Sequence, residues 1–159
     1  MIQLPPEYLL EQFNRFLRRG AVFRFVVEDF DDPARRPGPK FGVVLNVDLP
    51  ADDILYVFAT SQLGFYEANT QFNAVLLKID PGVYDCFHVR TVFPFKDVRS
   101  VPFKSLQRQY VKGDLTFPCR LSDEHVSEMD RLIRGSRFIS PRLKRLIVSP
   151  AADESLEPR

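Results

Sequence analysis

Lys40 stands just before one apolar run, residues 42–47, and Thr60, Ser61 and Gln62 stand where the next run, residues 54–60, gives way to polar sequence. Both runs are rich in β-branched and aromatic residues and flank a Pro/Asp cluster at 48–53, the pattern of two strands joined by a turn. A cation at the start of one strand and two hydroxyls at the end of its neighbour can meet over one sheet. Arg35 and Arg36 lie in the proline-stiffened segment 31–39 that leads into Lys40. These three cations form either a solvated hairpin tip or a lip that meets phosphates. Further along, His88, Arg90 and Thr91 are the polar members of a strand region predicted over 83–95. A strand arginine such as Arg90 either pairs with an acid or lines a groove.

The elements that must position these residues follow from pattern and punctuation. Pro5-Pro6 before Glu7 opens a helix over residues 1–20, with Leu9, Phe13, Phe16 and Leu17 as its apolar stripe and Arg18-Arg19-Gly20 as its end. Residues 22–30 alternate, Phe23, Phe25 and Val27 against Arg24 and Glu28, as in a half-buried strand. Residues 61–73 read as a long polar loop, a length that in a compact domain usually serves function. Strand 74–79 and the turn Asp80-Pro81-Gly82 come next. The stretch 95–112 is broken by Pro94 and Pro102 and has room for a short strand at 98–101. A turn at 112–114 and a strand at 115–121 complete the β-rich part.

Ser122 is an N-cap followed by Asp123 and Glu124, opening a helix to Gly135 with Val126, Met129, Leu132 and Ile133 inward. His125, on its exposed first turn, reads as inert. Ser140-Pro141 starts a short helix to about Val148. Residues 149–159 read as an acidic, disordered tail. The chain is therefore one domain over 1–148. Its strands are too closely spaced for crossover helices, so the sheet is expected to be antiparallel and barrel-like.

Composition bounds the rest. The chain has 159 residues, 45% of them hydrophobic, which suits one globular domain with a real core. A formal net charge of +1 does not by itself indicate nucleic acid. Between residues 131 and 147, however, six basic residues occur with no acid, as a solvated helix face or a phosphate- or partner-binding patch. Cys86 and Cys119 lack the spacing of a zinc site and read as buried thiols in a reducing cytoplasm. No signal peptide and no bilayer-spanning run is read in the chain.

Four stretches, in order, resemble the MazF/PemK (CcdB-like) toxin family. Lys40-Phe41-Gly42-Val43-Val44-Leu45 is similar to the strand after the family's first loop, which typically reads Arg-Pro and then aliphatics. Phe58-Ala59-Thr60-Ser61-Gln62 is similar to a strand end reading aliphatic-Thr-Ser/Ala, often with Gln next. Phe87-His88-Val89-Arg90-Thr91 resembles the family's Gln-aliphatic-Arg-Thr. Leu121-Ser122-Asp123-Glu124 with Val126, Met129 and Ile133 resembles its terminal helix. The resemblance leaves out the N-terminal helix and everything past Gly135.

The resemblance implies an SH3-like antiparallel β-barrel, here with an added N-terminal helix and a helical C-terminus, usually as a homodimer. It implies a cytoplasmic endoribonuclease that cuts single-stranded RNA without metal or other cofactor and is neutralised by a cognate antitoxin. In such cleavage the RNA 2′-hydroxyl attacks the adjacent phosphorus, so its proton must be taken, the leaving 5′ oxygen protonated and the phosphorane charge stabilised. Thr60, with Ser61 beside it, matches the family's catalytic threonine. Lys40 stands where the family has arginine, keeping the charge without the two-pronged fork, and Arg35 or Arg36 could supply that fork instead. His88 replaces a family Gln and is a candidate general base. Gln62, Arg90, Arg35 and Arg36 are candidate substrate contacts, with a structural or dimer-interface role as the alternative for Arg90. Two other readings remain: a catalytically inactive SH3-like binding module, and DNA binding by the basic C-terminal segment.

Overall fold

The protein is described here by a computed structural model covering residues 4–27, 38–45, 53–60 and 63–147. The candidate residues Arg35, Arg36, Ser61 and Gln62, and the tail from residue 149, lie outside the described residues. The elements are, in order, α1 (Pro6–Phe16), β1 (Ala21–Val27), β2 (Gly38–Val44), β3 (Asp53–Phe58), α2 (Leu63–Ala68), α3 (Thr70–Asn73), β4 (Leu76–Ile79), β5 (Thr91–Pro94), β6 (Arg99–Pro102), α4 (Phe103–Lys112), β7 (Leu115–Arg120), α5 (Asp123–Gly135) and α6 (Pro141–Ile147). No helix among the described residues is long and apolar enough to cross a membrane.

The architecture is mixed α/β. An antiparallel five-stranded sheet runs in the order β6-β3-β2-β1-β7, and β4 and β5 form a separate antiparallel pair. One bridge, Thr60 to Val92, links the two sheets.

Alternation along the central strands sends successive side chains to opposite faces. Val22, Val43, Leu55 and Val57 join one apolar cluster, with β4, β5, α5 and α6 contributing Leu77, Phe93, Met129, Ile133 and Ile147. Their chain neighbours Phe23, Val44 and Ile54 join a second cluster, with Phe13 and Leu17 from the α1 segment, Leu106 from α4 and Leu115 from β7. The reading of β1 as a half-buried strand is corrected accordingly. Val22 and Phe23 are both buried, because α1 and α4 cover the Phe23 face while β4, β5, α5 and α6 cover the Val22 face that the alternation left to solvent.

Three further expectations change. Residues 63–73 form the two short helices α2 and α3 rather than a polar loop. Residues 83–90 are turns and bends, with strand only from Thr91. The broken stretch after Pro94 holds β6 and then α4, which starts directly after Pro102. Proline is tolerated there because the first helical N–H groups need no intrahelical partner. Gly113, at φ 87°, ends α4 in the left-handed conformation, with its N–H on the carbonyls of Gln109 and Tyr110. At α5 the N-cap reading holds: the Ser122 hydroxyl accepts the His125 N–H at 3.2 Å.

Candidate functional site

The β2–β3 register places Lys40 and Thr60. Gly42 pairs with Phe58, and the Ala59 N–H donates to the Phe41 carbonyl at 2.9 Å. Lys40 and Thr60 each stand one residue beyond that hydrogen bond, past the last paired residues of β2 and β3 and at the same end of the two strands. Thr60 is fixed from its other side by two backbone hydrogen bonds with Val92, at 2.9 and 3.0 Å. The pair thus sits where the large sheet meets the β4–β5 pair, one residue from Thr91. The Thr91 hydroxyl donates to the Val89 carbonyl at 3.0 Å.

Half-buried rings continue this face away from Lys40. Phe25 lies beside Lys40 across the β1–β2 register. The Phe25 and Phe58 ring centroids are 5.7 Å apart, and Tyr56 meets Phe58 edge-on at 5.2 Å. The Arg99 guanidinium lies over Phe58, 5.2 Å from its centroid. Gly42 makes the row possible, since a β-carbon there would overlap the Phe23 ring that lies on the strand. The rim of the helix-covered face therefore carries Lys40, Thr60, Phe25, Phe58 and Arg99. Cations interleaved with aromatic rings can hold phosphates and stack bases.

The other candidates are placed less centrally. Arg90 lies 3.8 Å from Asp80, with both side chains well exposed, an ion pair of small energetic weight. His88 is exposed within the turns that precede β5, not in a strand as expected, and no strand register carries it to Thr60.

That 80–90 segment is fastened to the body of the domain twice. Cys86 and Cys119 are joined as a disulfide, with Cα atoms 6.4 Å apart, which corrects the expectation of two separate reduced thiols and removes that argument for a reducing compartment. The Tyr84 hydroxyl accepts the Ser122 N–H at 2.7 Å and lies 2.6 Å from His125 Nδ1. His125 is therefore a partner of the segment's anchor rather than an inert surface residue.

A second aromatic group forms around Lys96. Its ammonium lies 4.5 Å from the Phe72 centroid, 5.4 Å from Tyr66 and 5.8 Å from Phe65. Phe65 is 53% exposed, so this cation holds α2 and α3 against the turn after β5 while leaving one ring at the surface. Burial, with the Asp97 charge adding to it, pushes the Tyr66 phenol above its ordinary range.

Neither Arg99 nor Lys96 was legible as a site residue, because each acts through rings far away in sequence. The parity of Phe25, Tyr56 and Phe58 was the available signal. Comparison with known protein families and with curated proteins finds no match to this chain.

Proposed function

We propose that the chain is an endoribonuclease of the MazF/PemK toxin type that cleaves single-stranded RNA. The observation that supports this reading is that Lys40, paired with Phe25, and Thr60 lie at the same end of β2 and β3, beside the half-buried rings. The 2′-hydroxyl is the nucleophile, so the reaction asks for charge stabilisation and proton transfer rather than a metal-bound water. Lys40 sets its ammonium against the non-bridging phosphate oxygens as the 2′-oxygen–phosphorus bond forms. The Thr60 hydroxyl donates to the same oxyanion. The 2′-hydroxyl proton passes to a base, for which His88 remains the candidate, and the departing 5′ oxygen takes a proton from water as its bond to phosphorus breaks, leaving a 2′,3′-cyclic phosphate. Phe25 and Phe58 stack neighbouring bases while Arg99 adds positive charge. Ser61, Gln62, Arg35 and Arg36 adjoin Thr60 or Lys40 in sequence and extend the substrate contacts, with Arg90 at the start of β5.

On this reading the two sheets, joined at Thr60, correspond to the family's SH3-like barrel. The cytoplasmic location, the homodimer and the neutralising antitoxin belong to the same proposal.

The test is incubation of the purified protein with a long single-stranded RNA in EDTA, beside Thr60→Ala and Lys40→Ala. Discrete cuts leaving 5′-hydroxyl ends are expected, with a loss of about 100-fold or more in each variant, as for removal of one oxyanion donor. RNA that is bound but left intact would make the ring-and-cation rim a binding module and end the nuclease reading.

A further inference from the structure

The basic run of α5 and α6 plays no part in the site above, and the structure divides its residues unequally. Ser127, Asp130, Arg131 and Arg134 recur at three- and four-residue spacing along one stripe of α5 and line an open hollow of about 310 Å³. Arg19 reaches this stripe from the turn between α1 and β1. Gly20, at φ 82°, lets that turn press so close that a β-carbon there would stand 2.7 Å from a Val126 methyl. Arg19 and Asp130 form an ion pair with little exposure on either side chain. Lys144 of α6 donates to the Arg134 carbonyl at 2.8 Å.

The charges do not balance. Asp130 is engaged by Arg19, and Arg131 holds Glu128 with its Nε at 3.1 Å. Arg134 has no carboxylate partner among the described residues, and its Nε is buried without a hydrogen-bond acceptor. Burial first, and the Arg134 charge second, pull the Arg19 guanidinium down to about 10, so Arg19 stays charged at neutral pH. A buried guanidinium N–H without an acceptor is costly, and an oxyanion in the hollow would satisfy it through a charge-assisted hydrogen bond.

We propose that this hollow binds a phosphate group, with Arg134 and Arg131 as its cationic ligands and Ser127 as a hydroxyl donor. Asp130 does not repel the ligand outright because Arg19 neutralises it from behind. The site stands whether or not the chain cuts RNA. Free phosphate and a nucleic-acid backbone present the same oxyanion, and the experiment separates them.

The full chain is titrated calorimetrically at fixed ionic strength with inorganic phosphate and, separately, with a short oligodeoxynucleotide lacking terminal phosphates. The same titrations are run on Arg134→Gln, Arg131→Gln and, as a control from the same basic run, Arg142→Gln. The expected result is saturable binding of at least one probe, weakened about tenfold or more by the first two substitutions, as for the loss of one charge-assisted hydrogen bond, and unchanged by the third. Saturation by inorganic phosphate alone identifies a free phosphate or monoester as the ligand, and saturation by the oligonucleotide identifies a backbone phosphate. Arg131 is exposed, so Arg131→Gln carries the test if Arg134→Gln fails to fold. Absence of saturable binding, or binding reduced no more by Arg131→Gln than by Arg142→Gln, would overturn the proposal.

Discussion

At Gly42 the side chain of a neighbouring strand occupies the volume a β-carbon would need. The Phe23 ring lies there, stacked on Phe25 at 5.6 Å and meeting Tyr56 edge-on at 5.3 Å, so it has little room to retreat. Gly42→Ala is expected to lower stability by about 1–3 kcal/mol, the usual cost of overpacking, measured as a reduced urea midpoint. An unchanged midpoint would mean that the ring moves aside freely. Tyr84 makes a different kind of contact. Its hydroxyl serves the Ser122 N–H and His125 Nδ1 together, so Tyr84→Phe leaves both without that partner. A loss of about 1–3 kcal/mol follows if solvent cannot replace the oxygen, and a loss within the scatter of surface substitutions would show that it can. The Ser122 cap was legible because capping is local to four residues. Its link to Tyr84 was not, because a partner 38 residues away leaves no mark on the pattern. For Lys40 and Thr60 the end of β3 was readable, but β2 starts at Gly38 and holds Lys40 inside it, paired with Phe25, rather than just ahead of a strand at Gly42, and the ring row and Arg99 beside them required the register.

Elements were legible where one period ran long enough. Strand β1 carries an alternation, β2 and β3 carry apolar runs rich in β-branched and aromatic residues, and the helices α1 and α5 each carry a helical stripe. Helices α2 and α3, with six and four residues, are too short to show a period, and their polar composition read as loop. Helix α4 was hidden by Pro102, taken as a break within a stretch that it in fact opens. The 83–90 segment was misread as strand because its apolar residues turn inward singly, Phe87 toward the core and Cys86 toward Cys119, without a ladder. Its order rests on that disulfide and on Tyr84. The two cysteines are separated by 33 residues, and closing a loop of that length restricts the unfolded chain by about 4 kcal/mol in the chain-entropy treatment. Urea unfolding with and without a dithiol reductant should therefore differ by roughly 2–4 kcal/mol, and the Cys86→Ser, Cys119→Ser double variant should show no such difference. Identical curves for the natural chain in both conditions would mean that the bond contributes nothing to the folded state.

The five-stranded sheet divides the whole molecule into two apolar compartments. The expectation of a barrel with one interior missed this, because a strand buried on both faces reads as a continuous apolar run and the run does not say what covers each side. Phe13, Leu17 and Leu106 close one face; Met129, Leu132 and Ile133 close the other. Strand backbones lie between the two sets, so substitutions on opposite faces should not share a cavity or a repacking response. Leu106→Ala is expected to cost about 2–5 kcal/mol and Ile133→Val about 0.5–1.5, and the double variant should equal their sum within about 0.5 kcal/mol. Within one compartment the outcome should differ. Phe13 and Phe117 have ring centroids 5.9 Å apart, and Phe13→Leu with Phe117→Leu should depart from additivity by more than 0.5 kcal/mol, the range about 0.5–3 found for side chains in contact. Coupling of similar size across the sheet would show that the two compartments respond as one, with strain passing through β1, β2 and β3. Additivity would instead tie the ring row beside Lys40 to the α1–α4 compartment, since Phe25 and Tyr56 pack against that cluster.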